Sequence, residues 1–209
     1  MNKTLIHALI LAALLPAFLE ADAKTVHVAI DLSGSNALIG DRNFAYAASQ
    51  YVAQEITPLR DGDVVRVQTL GARNNPQNLL DATYKISHKI KPAAVAKAIT
   101  QFIRSLPERP NLAQGATNLL AWIEFHPPFA EGDVILLLSD GIESSELVNG
   151  QALAEGKTGL PAPEIDLKGR RLIVYGLGAG LPAPNVRHLR KAWQVWSDQA
   201  GAEFLAVIP

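Results

Sequence analysis

Apolar positions along this chain fall into short runs that alternate with helical stripes. Val26-His27-Val28-Ala29-Ile30, Val64 to Leu70, Val134-Ile135-Leu136-Leu137-Leu138, Arg171 to Gly176 and Glu203 to Ile208 read as strands, rich in aliphatic and β-branched residues. The unbroken aliphatic run from Val134 predicts a central strand buried on both faces. Thr83 to His88 differs. There Tyr84, Ile86 and His88 alternate with Thr83, Lys85 and Ser87, which predicts a half-solvated strand at a sheet edge. Between the strands the spacing changes to three and four. Phe44, Ala48, Tyr51, Val52 and Ile56 form one stripe within 41–58. Val95, Ile99, Phe102, Ile103 and Leu106 form a second, opened by Pro92. Val186, Leu189, Trp193, Trp196 and Ala200 form a third over 185–199, with the Trp pair as core, and Gly201 ends it. A shorter helix opens near Thr117, and part of 144–153 within the long connection Ile142–Lys168 reads as helical. Asn74-Asn75-Pro76 is a loop, and Arg60-Asp61-Gly62-Asp63 a turn rather than a calcium loop.

Strands that alternate with helices predict an α/β fold. The expected architecture is a doubly wound, Rossmann-like, mostly parallel six-stranded sheet, with one short antiparallel edge strand and helices on both faces. In such sheets ligands sit beyond the carboxyl ends of the strands, near a switch in strand order.

The N-terminus changes the picture of where the chain works. Lys3, the apolar stretch Leu5 to Leu19 interrupted by Pro16, and Ala21-Asp22-Ala23 make the three parts of a secretory signal peptide. Cleavage is expected after Ala23, leaving 24–209 as a single domain, periplasmic or secreted from a bacterium, with no membrane span in the mature chain. Of 19 basic and 20 acidic residues, the leader takes Lys3, Glu20 and Asp22, so the mature chain carries 18 of each. Dispersed Lys and Arg at zero net charge give no footprint for nucleic acid. The chain has no Cys, which excludes disulfides, thiol chemistry and N-terminal lipidation on Cys. At 48% hydrophobic and 19% charged, its composition is that of an ordinary globular domain able to hold itself by its core.

Three stretches carry candidate chemistry. Asp31-Leu32-Ser33-Gly34-Ser35 closes the first strand, and Gly34 lets the loop bend so that Asp31, Ser33 and Ser35 turn to one side. Thr117 lies in Gln114-Gly115-Ala116-Thr117-Asn118, where helix capping is the plain structural role. Ser139-Asp140-Gly141 closes the central strand. If the first and central strands are neighbours, two carboxylates and three hydroxyls converge. These are hard oxygen donors suited to Mg²⁺, Mn²⁺ or Ca²⁺. Gly176-Leu177-Gly178-Ala179-Gly180 has the spacing G-x-G-x-G, lacks a residue of the dinucleotide fingerprint and runs into Pro182 and Pro184, so no nucleotide is expected there. His27, His88, His126 and His188 are scattered, and no metal role is assigned to them.

In order and spacing, Asp31-x-Ser33-x-Ser35, Thr117 and Asp140 resemble the metal-ion-dependent adhesion site (MIDAS) of the von Willebrand factor type A (VWA) domain family. The chain has Gly115-Ala116-Thr117 where the family often has Gly-Gly-Thr, and Ser139 where it often has Thr. The resemblance implies that Ser33, Ser35 and sometimes Thr117 bind the cation directly. Asp31 and Asp140 then act largely through waters, and one coordination position is left for an Asp or Glu of a partner protein. The implied function is a metal-dependent protein-binding module rather than an enzyme. A structural subunit of an envelope assembly with a vestigial site is the alternative. A Mg²⁺-dependent hydrolase is less favoured, because Ser33 stands where the second acid of Asp-x-Asp phosphatases would be. The loop 142–168, with Glu143 and Glu146, and the helix ends near Asp41 and Asn118 are the expected partner-facing rim.

Overall fold

A computed structural model describes residues 23–72, 75–126 and 128–208. The leader, apart from Ala23, and Asn74 of the loop at 74–76 lie outside the described residues. The fully buried aliphatic run becomes β4, Val134–Leu138. It sits beside β1, Thr25–Asp31, at the centre of a six-stranded sheet. The remaining strands are β2 (Val64–Leu70), β3 (Asp81–Lys85), β5 (Arg171–Tyr175) and β6 (Glu203–Val207), in the order β3-β2-β1-β4-β5-β6. All neighbours are parallel except β3, which pairs antiparallel with β2 at the edge. The α/β, Rossmann-like architecture expected from the alternation is therefore present.

Alternating side chains divide the core into two layers. Val26, Val28 and Ile30 of β1 and Leu136 and Leu138 of β4 face α1 (Arg42–Ile56) and α2 (Pro92–Ser105). Ala29, Ile135 and Leu137 face α3 (Leu119–Phe125) and α5 (Ala183–Ala200), with Trp193 and Trp196 buried there. A short α4, Gly150–Ala154, lies in the long connection. Among the described residues no helix is long and apolar enough to cross a membrane.

Two boundaries depart from the expected ones for tertiary reasons. β3 starts two residues and ends three residues before the expected 83–88, because its register with β2 runs from Val64↔Lys85 to Gln68↔Asp81. Ile86 leaves the ladder: its N–H donates to Asp63 O at 2.8 Å and its carbonyl accepts from Gly62 N at 3.0 Å. α5 starts at Ala183 rather than 185, since a Pro in the first helical turn gives up no needed hydrogen bond.

The amino ends of the strands are fastened by carboxylates. Asp133 accepts from Thr25 N at 2.7 Å, Ala130 N at 2.8 Å and His27 Nε2 at 3.1 Å. Burial pushes the Asp133 carboxyl up, but the bonds from His27, Thr25 and Ala130 outweigh it and hold the group below its ordinary range. His27 is thus occupied as a buried partner of Asp133 and packs edge-on against Phe129.

Candidate metal centre

Connections leave β1 and β4 toward opposite flanks of the sheet, so the strand order switches between their carboxyl ends. Asp31 is the last residue of β1 and Asp140 stands two past β4. Both are buried, at 0% and 1% exposure. Ser33 N donates to Asp31 Oδ1 at 2.7 Å, and Ser139 Oγ donates to Asp31 Oδ2 at 2.6 Å. Ser139 Oγ also accepts from Gly141 N at 3.0 Å, so one hydroxyl bolts the two strand-end loops together. Asp140 Oδ1 accepts from Ile142 N at 2.9 Å, while its Oδ2 is buried and has no hydrogen-bond partner.

A residue not singled out in the sequence completes this base. Asn36 Nδ2 donates to Asp31 O at 2.8 Å and to Leu138 O at 3.0 Å, joining the ends of β1 and β4, and its Oδ1 accepts from Leu38 N at 3.3 Å. Directly after Asp31-x-Ser33-x-Ser35, Asn36 itself reads as one more polar loop residue. The signal lies in the pairing of two strands that are distant in sequence.

Above the carboxylates, Ser33, Ser35 and Thr117 line an open cleft of about 470 Å³. The Ser33 and Ser35 hydroxyls are 3.4 Å apart. Gly34 N donates to Gln114 O at 2.8 Å and Gln114 N to Leu32 O at 2.9 Å, which brings the Thr117 loop alongside the Ser33 loop. Thr117 and Ser144 exchange two backbone bonds of 3.0 Å each, which brings it alongside the Asp140 loop. All five residues picked from the sequence therefore meet at one place. Thr117 is not a helix cap: α3 begins at Leu119, and the cap position belongs to Asn118.

The electrostatics is that of two carboxylates short of a counter-charge. Burial, then repulsion from Asp140, push the Asp31 carboxyl up to about 7, against the lowering effect of Ser139 and Ser33. Burial also raises Asp140, opposed by the Ser35 hydroxyl beside it and the Ile142 N–H. Among the described residues no Lys, Arg or His forms an ion pair with either group. No cluster of three His, Cys, Asp or Glu side chains able to hold a metal exists among them either. Any cation here would rely on hydroxyls, which is the donor chemistry of hard, weakly polarisable ions.

The expected rim needs correction at Glu143, Asn118 and Glu146, none of which lines the cleft. Glu143 does not face the cleft. Its side chain is buried at 1% exposure, and Oε2 accepts from Leu119 N at 2.7 Å and Leu120 N at 3.1 Å, at the start of α3. Burial raises the Glu143 carboxyl, opposed by Ser145 and these two N–H groups. Asn118 is likewise turned inward, with Nδ2 donating to Gly71 O at 3.2 Å. Glu146 is exposed, in a shallow hollow with Ala116, Asn118 and Ser145. Other residues of the long connection do line the cleft: Ile142, Ser144, Gly150, Gln151, Ala154 and Glu155.

No family model matches the chain, and no curated protein matches it. Among solved structures it is similar to a pilus adhesin, SpaC from Lactobacillus rhamnosus GG, at 12% sequence identity and a TM-score of 0.48. The likeness covers 90% of this chain and 28% of the adhesin, so the chain spans less than a third of that protein's length. A likeness at this level carries no functional meaning.

Proposed function

We propose that this chain is an exported protein-binding module of the VWA type. Ser33, Ser35 and Thr117 hold a divalent cation (Mg²⁺, Mn²⁺ or Ca²⁺), with Asp31 and Asp140 behind them. The bound cation supplies an electrophilic position that an Asp or Glu carboxylate of a partner protein completes. The observation that carries this reading is the pair of buried carboxylates, with Asp140 Oδ2 unpartnered, next to a cleft lined by Ser33, Ser35 and Thr117. A buried charge without a partner costs about 3–5 kcal/mol. A cation at this spot removes that cost and satisfies the free oxygen. The hydroxyl ligands add no charge, so the cation keeps most of its own for the incoming carboxylate.

A binding role is favoured over a hydrolase by the state of Asp31. In a phosphatase of the Asp-x-Asp kind the strand-end carboxylate must reach the substrate. Here both Asp31 oxygens accept hydrogen bonds and the side chain has no exposure. The protein chemistry left open to the cleft is ligation through Ser33, Ser35 and Thr117 rather than nucleophilic attack by Asp31.

The test is a thermal-unfolding titration of the chelator-treated chain with Mg²⁺, Mn²⁺ and Ca²⁺, beside Asp140→Ala. A cation at one hundred times its dissociation constant adds about 2.7 kcal/mol of stability. The native chain is expected to gain melting temperature with at least one ion and Asp140→Ala with none. An unchanged melting temperature for every ion in the native chain defeats the proposal.

A further inference from the structure

Thr117 is held in place from two sides. Upstream, Gln114 is bound to Leu32 through its backbone and, through its side chain, to Ala72 N at 2.7 Å and Asn78 Oδ1 at 2.8 Å. Between that anchor and Thr117 lie Gly115 and Ala116. Gly115 is exposed, and a Cβ placed on it would meet nothing within 4 Å, so packing does not restrain this part of the loop. Downstream, the start of α3 is the nearest rigid element. Asn118 makes no side-chain cap there, and its Nδ2 donates to Gly71 O. The first turn of α3 is capped instead by Glu143 Oε2, which takes both Leu119 N and Leu120 N. Glu143 is fully sequestered and stands three residues past Asp140. With the Thr117–Ser144 pair, four hydrogen bonds tie segment 117–120 to segment 143–144.

We infer that Glu143 is a positioning residue for the cation site, one that fixes Thr117 relative to Asp140 by clamping the start of α3 to the Asp140 loop. It touches neither the cation nor the partner. A buried carboxylate receiving two backbone N–H groups forms charge-assisted bonds, stronger than those a neutral side chain forms. A strut of that kind holds a hydroxyl ligand at a set distance without packing around the ligand itself. The inference rests on the cation reading above, and it assigns Glu143 a part in affinity that its position away from the cleft would not announce.

The experiment titrates Mn²⁺ alone into the full chain and reads free Mn²⁺ by electron paramagnetic resonance. The proteins are the native chain, Glu143→Ala, Glu143→Gln, Thr117→Val and the two double variants, each checked for folding by circular dichroism. Loss of a group that orients a metal ligand costs about 10–100-fold in affinity, and Glu143→Ala is expected to raise the Mn²⁺ Kd by that factor. Glu143→Gln keeps an acceptor without the charge and is expected to show a smaller rise. In the Thr117→Val background both effects should shrink to within about twofold, because Glu143 then has no ligand left to position. If Glu143→Ala does not fold, the Glu143→Gln pair completes the same cycle. Equal fold-changes with and without the Thr117 hydroxyl would overturn the inference, since Glu143 would then act on the fold at large. So would an unchanged Kd in folded Glu143 variants. A native chain that binds no Mn²⁺ overturns this inference at an earlier and separate point, and it defeats the cation reading as well when Mg²⁺ and Ca²⁺ also leave its melting temperature unchanged.

Discussion

Raising pH should weaken the metal-free protein, and Asp31 is the reason. Its carboxyl rises from an ordinary value of 3.8 to about 7 in the fold. The folded state therefore holds a proton that the unfolded chain releases between those values. A group raised in this way contributes stability that is complete below pH 3.8 and is lost as pH climbs through about 7. At 1.36 kcal/mol per unit, the whole loss is roughly 4 kcal/mol, and Asp31 is fully buried, so solvent screening does not dilute it. Asp140 and Glu143, also raised, act in the same direction. Asp133 acts in the opposite sense: its carboxyl is lowered, so its contribution is lost only as pH falls below the usual carboxylate range. The perturbation is chelator, and the assay is urea unfolding at intervals between about pH 4.5 and 8, above the window of Asp133. Stability should fall across this range. Asp31→Asn should flatten most of the fall, since Asn has no proton to lose. Its amide can accept from Ser33 N and donate to Ser139 Oγ, reversing one bond while keeping both contacts. With a saturating divalent cation the native slope should disappear, because the cation takes the place of the proton. A flat native profile in chelator, or the same slope in Asp31→Asn, would refute the reasoning.

Substitutions at three further positions probe the frame around the carboxylates. Asn36→Ala should cost about 2–4 kcal/mol in urea unfolding, because two buried carbonyls lose their shared donor; Asn36→Asp should cost more, by facing those carbonyls with a charge. Trp193→Phe keeps the ring in the core but removes the 2.8 Å bond from Trp193 Nε1 to Gly141 O, with an expected loss of about 1–3 kcal/mol and a weaker cation response in thermal unfolding. Gly141→Ala sets a side chain at φ +75°, with its Cβ 2.5 Å from Leu177 Cδ1 and 3.1 Å from Trp193 Nε1. Left-handed strain alone costs about 1–2 kcal/mol, so the melting temperature should drop by several degrees for a domain of this size.

Periodicity alone placed the strands and helices that bury one or two apolar faces. β2 and β4 begin and end where their aliphatic runs do, and the stripe Val95-Ile99-Ile103 is buried as spaced. It failed where a partner element decides the boundary. Asp81 and Ala82 have little strand character, yet pairing with Gln68 and Val67 draws them into β3. Asp31, Ser33, Ser35 and Asp140 were legible because they follow recognisable strand ends; that β1 and β4 are neighbours was a condition, which the sheet order meets. Glu143 and Asn36 were not legible in their roles. Glu143 caps a helix that starts 24 residues before it, and Asn36 joins the Asp31 carbonyl to the Leu138 carbonyl, which lies 102 residues beyond Asn36 itself. A side chain whose partners are backbone groups of distant segments leaves no local pattern, and a polar residue in a loop is read by default as solvated.

The five parallel strands give the molecule poles. Chain enters β1 at one pole, where Asp63 accepts from Lys24 N at 3.1 Å and Asp133 fixes Thr25. Seven residues of strand, about 23 Å at the usual rise, separate this entry from Asp31 and the cleft. β6 runs parallel to β5, so Val207 emerges at the cleft's own pole, where Val207 O accepts from Gly176 N at 2.8 Å. A tether, dye or affinity tag attached ahead of Lys24 therefore leaves the cleft pointing away from whatever surface holds the protein. The same attachment after Val207 crowds it. Surface-immobilised binding measurements on this protein should be mounted by the amino side.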